Sequence, residues 1–108
     1  MVDYKHYTYR VTWSEEDKEY VGLCAEFPSL SHLDENQLAA MQGIVDLVKE
    51  VVDDMQTNGE TVPAPLSKKH FSGKFQVRIA PEQHRNLAMV ANEQGISLNR
   101  YVSLKLAG

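Results

Sequence analysis

Apolar and polar residues alternate along the start of the chain, and a period of two predicts β-strands. In the first stretch, apolar Tyr7, Tyr9, Val11 and Trp13 alternate with polar residues. The charged run "SEEDKE" predicts a turn, and "YVGLCAEF" predicts a second strand that returns as a hairpin. A short third strand is expected within "PSLSHL".

After these strands, the apolar residues recur every three or four positions, which predicts one long amphipathic helix. We expect it to begin with Asp34 as its N-cap, with Gln37 completing a capping box, and to end at Asn58-Gly59. Such a helix on a small antiparallel sheet predicts a compact α+β domain over residues 1–65. The expected apolar stripe consists of Leu38, Met41, Ile44, Val45, Val48, Val51, Val52 and Met55.

The alternation returns once more, in residues 74–79, and predicts a strand with no later strand to pair with. Pro81 is expected to start a helix, Gly95 to end it, and Ser97 to cap a second helix. About 35 residues bury too little surface to fold alone. We therefore expect this segment to pair with a second copy, as a two-stranded antiparallel ribbon in an intertwined dimer.

Charge divides the 108 residues into two parts, although the formal net charge of the whole is only −4. Residues 1–65 hold 4 basic and 13 acidic side chains, whereas residues 66–108 hold 7 basic and 2 acidic ones. Opposite signs suggest partners of opposite charge, one of them nucleic acid. The run of Pro, Ser, Lys and Gly between the parts predicts a linker at residues 66–72, followed by a domain over 73–108.

Several function classes find no support in the sequence. The single cysteine, Cys24, excludes an internal disulfide and is expected to be buried. No apolar run reaches the ~18 residues of a membrane span and no signal peptide is evident, so we expect a cytoplasmic protein. The four histidines lack metal-ligand spacing, and phosphate loops and nucleophile motifs are missing. We expect no enzyme, metal or cofactor.

The segment "KFQVRIAPEQHRNLAMVANEQGISLNRYVSLKL" resembles the ribbon-helix-helix fold of Arc/MetJ-type repressors. The hairpin, the long helix and "NGETVPAP" resemble the N-terminal domain of HicB proteins, a partial RNase H-like fold. Together they resemble HicB-family antitoxins with a C-terminal ribbon-helix-helix. The resemblance implies a homodimer that binds operator DNA and a HicA-type toxin, a small basic protein that cleaves RNA.

The residues expected to contact DNA lie on the polar face of the ribbon and at the second helix of the C-terminal part. Arginine pairs with guanine and glutamine with adenine in the major groove, and a helix N-terminus suits a phosphate. A merely solvated strand face is the alternative. These residues are Lys74, Gln76, Arg78, Ser97 and Asn99.

Acidic residues of the first part are candidates for contact with the toxin, although a charged turn and a solvated helix face are the usual explanation for such residues. They are Glu15, Glu16, Asp17, Glu19, Asp34 and Glu35, with Asp46, Asp53 and Asp54 along the helix. The alternative function is a stand-alone ribbon-helix-helix regulator whose first domain senses a ligand or oligomerises.

Overall fold

A three-stranded antiparallel sheet in the order β1-β2-β3 forms one layer of the first part of the chain. The computed structural model describes residues 2–108. The strands are β1 Tyr9–Ser14, β2 Glu19–Cys24 and β3 Ser31–Asp34, and one long helix, α1 Gln37–Thr57, forms the second layer. This α+β architecture and the three strands predicted within residues 1–65 are confirmed.

The chain divides into two compact units, one ending at Phe71 and the other covering Ser72–Gly108. The first unit also contains two short 3-10 turns, Tyr4–His6 before β1 and Leu66–Lys68 after α1. The second unit contains α2 Pro81–Glu93 and α3 Leu98–Leu106. Among residues 2–108, no helix combines the length and the apolar character that crossing a membrane requires.

Glycine 22 lets α1 lie close against one face of the sheet. A Cβ atom at Gly22 would come within 2.5 Å of the Ala40 carbonyl oxygen, and one at Gly43 would overlap the His32 ring. Because paired residues share a face, the rows Val11–Gly22–His32 and Trp13–Tyr20–Asp34 both belong to the helix side. The sheet register thus defines which side chains α1 covers.

The core of the first unit lies between this face and α1. Ile44 and Val48 are fully buried, and the rings of Tyr7 and Phe27 meet edge to face at 5.3 Å between centroids. Cys24 is buried, as predicted. The buried cluster consists of Tyr7, Cys24, Phe27, Ile44, Val48 and Val52.

Helix α1 begins later than predicted. Its N-cap is Asn36, whose side chain accepts a hydrogen bond from the Ala39 amide, whereas Asp34 ends β3 and accepts one from the Asn36 amide. Leu38 was wrongly assigned to the apolar stripe: it is 81% exposed, and Ala40 is buried instead. An α-helix turns by about 100° per residue. Leu38 therefore lies about 120° around the helix axis from the buried Ile44 and faces away from the core, whereas Ala40 lies only about 40° from Ile44 and faces the core.

The ends of the helices otherwise follow the predicted capping. Asn58 is the C-cap of α1 and is followed by Gly59 at φ +71°. Pro81 is the first residue of α2, and Gly95 follows that helix in the left-handed conformation at φ +71°. Ser97 caps α3 by accepting a hydrogen bond from the Arg100 amide at 3.1 Å. These predictions are confirmed.

Residues 74–79 do not form a strand within the single chain, unlike the strand that their alternation predicts. A strand requires a second backbone for its ladder of hydrogen bonds, and no other described segment pairs with residues 74–79. The apolar side chains of this segment are consequently open: Phe75, Val77 and Ile79 are 74%, 67% and 42% exposed. Within residues 72–108, Ala91 is the only buried residue.

Candidate functional site

The predicted acidic residues that flank the strands meet at one end of the sheet. Ser14 pairs with Glu19, and the row Trp13–Tyr20–Asp34 lies next to it. We call residues 13–20 and 33–38 the hairpin-end surface. It carries six carboxylates and one basic residue, Lys18; the carboxylates belong to Glu15, Glu16, Asp17, Glu19, Asp34 and Glu35.

The acidic residues of α1 are not part of this surface. The helix starts at Gln37, beside the hairpin end, and rises about 1.5 Å per residue. Asp54 therefore lies roughly 25 Å along the helix from its first residue. The helix thus carries its exposed acidic residues in a region separate from the hairpin-end surface; these residues are Asp46, Asp53 and Asp54.

Three of the six acidic residues have structural roles in the local backbone and turn. Glu15 accepts a hydrogen bond from the Trp13 indole at 2.7 Å and pairs with Lys18. The bond from Lys18, and then that from Trp13, lowers the pKa of the Glu15 carboxyl. Asp17 accepts the Ser14 hydroxyl at 2.9 Å, and Asp34 accepts the Asn36 amide.

Of the other three acidic residues, Glu19 is half-buried within β2, so the carboxylates of Glu16 and Glu35 are the most available to a partner. Both residues are exposed. Within the described part of the chain, neither side chain takes part in a hydrogen bond or an ion pair. A carboxylate without an internal partner can bind an incoming cation without first giving up a bond.

Trp13 was not among the predicted site residues, but the structure places it on this acidic surface, at the end of the edge strand β1. Its side chain is 47% exposed. The indole meets the Tyr20 ring at 5.0 Å between centroids and 70° between planes. Its position beside a charged turn was the only sign in the sequence that this aromatic residue would remain exposed.

A second cluster holds the segment after α1 against the start of β1. The Glu26 carboxylate accepts hydrogen bonds from the Thr8 and Leu66 amides, both at 2.9 Å. Nearby, the Tyr7 hydroxyl donates to the Pro63 carbonyl at 2.6 Å, and the Ser67 hydroxyl donates to the His6 carbonyl at 2.8 Å. Part of the predicted linker 66–72 is therefore fixed to the first unit.

We call these hydrogen bonds around Glu26 the clamp, and they determine the pKa of the Glu26 carboxyl. Burial raises the pKa of the Glu26 carboxyl, but the hydrogen bonds from the Leu66 and Thr8 amides outweigh it, so that the pKa is lowered overall. The charged form of Glu26 is thus the form that the folded first unit stabilises. This clamp was not predicted, because its two halves lie 40 residues apart.

The predicted DNA-contacting residues all belong to the second unit and are exposed. Lys74, Gln76 and Arg78 alternate with the exposed apolar residues of the same segment. The Ser97 hydroxyl is engaged in capping α3, while the Asn99 side chain, in the first turn of that helix, makes no hydrogen bond to any of residues 2–108. The polar residues of 74–79 are therefore more open to a ligand than Ser97.

A further feature of the first unit is a groove between Tyr4 and the last turns of α1. This shallow groove of about 280 Å³ is lined by residues that include Tyr4, Val52 and Gln56, near the lower limit of the 300–1,000 Å³ typical of ligand pockets. Within residues 2–108, no group of three His, Cys, Asp or Glu side chains is placed to hold a metal ion.

Comparison with known proteins relates the second half of the chain to one family. Residues 57–106 match the family model of the HicB family. The match covers slightly less than half of the chain: it runs from the end of α1 through α3 and leaves out the hairpin-end surface. No curated protein and no solved structure matches the chain. This similarity is consistent with a HicB-like antitoxin at the family level.

Proposed function

We propose that this protein is the antitoxin of a HicAB-type toxin-antitoxin system. Its first unit neutralises a small basic HicA-type toxin, and its second unit represses the shared operon as a ribbon-helix-helix dimer bound to operator DNA. The observation that carries the proposal is the match of residues 57–106 to the HicB family. Both partners place the protein in the cytoplasm, and the proposal assigns it no catalytic step.

The exposed apolar residues of the second unit support dimerisation. Antiparallel pairing of residues 74–79 between two copies would satisfy their backbone groups and cover Phe75, Val77 and Ile79. Because successive side chains of a strand point to opposite faces, Lys74, Gln76 and Arg78 would share the outer face. A two-stranded ribbon fits the major groove, and its twofold symmetry would suit a palindromic operator.

The charge of the first unit supports a basic protein partner. Residues 1–65 carry a formal net charge of −9, from 4 basic and 13 acidic side chains. Opposite charge accelerates encounter and selects among partners more than it raises affinity. An acidic surface would compete with RNA for the basic surface of a toxin.

The first test is co-expression of the tagged chain with each neighbouring reading frame, followed by pull-down and a growth assay. We expect recovery of a small basic protein that stops growth only when this chain is absent. If no such partner is recovered and no toxicity is rescued, the antitoxin proposal is wrong and the stand-alone regulator is favoured.

The DNA-binding half of the proposal is tested with Arg78→Ala and titration of the chain's own promoter DNA. Loss of a bidentate guanine contact is expected to weaken binding by about 1–3 kcal/mol while the dimer persists. Arg85→Ala is the matched control, since it removes the same charge from an exposed position of α2. Unchanged affinity in Arg78→Ala would refute the ribbon assignment.

A further inference from the structure

The hairpin-end surface carries large apolar side chains that the fold leaves uncovered. Trp13 is 47% exposed and lies outside the buried core cluster. Leu38 is 81% exposed in the first turn of α1, which starts three residues after β3 ends. Both residues therefore lie at the same end of the first unit. Exposed apolar residues rimmed by charged ones are typical of protein interaction sites.

The Trp13 indole is held in place although it is exposed. The Tyr20 ring packs against it edge to face, and the Glu15 carboxylate accepts its N–H at 2.7 Å. A side chain that is already fixed loses little rotamer entropy when a partner binds. Tryptophan is also among the residues that most often dominate binding energy at interfaces. Trp13 thus has the properties of a pre-organised anchor.

The charges around Trp13 indicate what kind of partner covers it. The hairpin-end surface holds six carboxylates against the single cation Lys18. A guanidinium group binds the face of an indole and also pairs with carboxylates. The exposed carboxylates of Glu16 and Glu35 are available for such a pairing. A second copy of the first unit, with the same excess of acidic residues, would be repelled.

We propose that Trp13 is the anchor of the interface with a basic protein, and that it receives an arginine side chain of that partner. Glu16 and Glu35 supply the surrounding negative charge, and Leu38 extends the apolar contact. This inference rests on the proposed antitoxin function, and it names the residue and the cation chemistry through which the toxin is bound.

The experiment uses Trp13 itself as the probe, because it is the only tryptophan of the chain. The ligand is the protein encoded by the adjacent reading frame, with any tryptophan replaced by phenylalanine. On titration into the full-length chain, we expect the emission of Trp13 to change and its quenching by acrylamide to fall. Trp13→Ala is expected to weaken binding about 30-fold or more, measured by calorimetry.

Two pairs of charge substitutions separate local contact from the overall charge of the chain. Glu16→Gln with Glu35→Gln removes two charges from the hairpin-end surface, and Asp53→Asn with Asp54→Asn removes two from the far end of α1. The first pair is expected to weaken binding about 10-fold and the second less than about 3-fold, because screening limits attraction at long range. Far-UV circular dichroism confirms that each variant is folded.

Each outcome decides between the two proposals. If Trp13→Ala binds the basic partner as tightly as the unaltered chain, the anchor is refuted and the antitoxin function stands. If the unaltered chain binds no basic partner, the antitoxin function fails, and the anchor with it. Protection of Trp13 that rises with the concentration of the chain alone would show a second copy as the occupant and would also refute the anchor.

Discussion

The two units of this chain differ in whether one copy suffices to bury a core. In the first unit, the cluster around Ile44 and Val48 lies between a sheet and a helix and is closed to water. In the second unit, helices α2 and α3 have well-formed ends, yet only Ala91 is buried. Six large apolar side chains of that unit are at least 42% exposed: Phe75, Val77, Ile79, Met89, Leu104 and Leu106.

This difference shows that regular secondary structure and a complete core are separate properties of a sequence. Caps such as Ser97 and turns such as Gly95 act within a few residues, and they shape the helices of the second unit without a core. A core requires enough chain, and a unit of fewer than about 40 residues usually needs a partner. The first unit is therefore expected to tolerate dilution, and the second to depend on association.

The largest expected effect comes from a charge on the apolar side of residues 74–79. Val77→Glu would place two carboxylates in the core of the proposed dimer, where burying an unpaired charge is costly. We expect the dimer affinity to fall by at least about 100-fold and operator binding to be lost. Sedimentation equilibrium measures the association, and Trp13 emission verifies that the first unit remains folded.

The neighbouring residue supplies the control for this substitution. Gln76→Glu introduces the same charge one position earlier, on the opposite face of the segment. It is expected to weaken DNA binding by repulsion from phosphates while the dimer persists. If the Val77→Glu variant dimerises as tightly as the unaltered chain, association does not depend on burying this apolar face, and the contrast drawn between the two units is wrong.

A smaller effect is expected from Gly22→Ala, which tests the self-sufficient core of the first unit. The new methyl group would meet the Ala40 carbonyl oxygen, which belongs to the helix backbone and cannot rotate away. We expect a loss of about 1–3 kcal/mol in the free energy of unfolding. Urea denaturation followed by Trp13 fluorescence measures it.

Gly43→Ala is the informative partner of this variant. Its methyl group would meet the His32 side chain, which is able to move, and alanine favours a helix over glycine by about 1 kcal/mol. The expected loss is therefore smaller than that for Gly22→Ala. An equal or larger loss would show that the packing of α1 on the sheet is not limited by backbone contact.

The smallest of the expected effects concerns Glu26, which fixes the segment after α1. Glu26→Gln removes a charged acceptor of two backbone amides and is expected to cost about 1–2 kcal/mol of unfolding free energy at neutral pH. The control is Glu60→Gln, which removes the same charge from an exposed position between the end of α1 and Leu66. Equal stability of the two variants would contradict a role for the clamp.

Acid provides an independent check of the same residue. Since the folded-state pKa of Glu26 is lowered from 4.5, its contribution to stability is present above that pH and lost as the pH falls through the lowered value. The difference between the unaltered chain and Glu26→Gln should therefore shrink as the pH falls below 4.5. A difference that is constant from pH 7 to pH 3 would exclude the ionised carboxylate as the cause.

Features set by neighbouring residues were predictable from the sequence, and those set by distant ones were not. The three strands, the end of α1 and the cap at Ser97 follow from local alternation and capping residues. The start of α1 was misplaced because Asp34 and Asn36 are both good caps, and only the length of β3 decides between them. The exposure of Trp13 depends on where the helix lies on the sheet, which local pattern does not encode.

The composition of the first part predicts an acidic surface, but only the register of the sheet shows which acidic residues lie together on it. Glu15 and Asp34 are 19 residues apart in sequence. They lie at the same end of the sheet because Tyr20 pairs with Asp34 on one side and with Trp13, two residues before Glu15, on the other. The clamp at Glu26 likewise joins residues that no local rule connects. Which acidic residues serve the fold, and which remain available to a partner, became clear only from the hydrogen bonds.

The hydrogen bonds from Tyr7 to Pro63 and from Ser67 to His6 also bear on how the first unit completes its fold. They span 56 and 61 residues, so the first unit closes its two ends together only after almost all of its chain is available. Such long-range closure slows folding, because the entropy of the loop is lost before the contacts form. During synthesis, the sheet and α1 can assemble early, but the final closure must wait until Ser67 has left the ribosome.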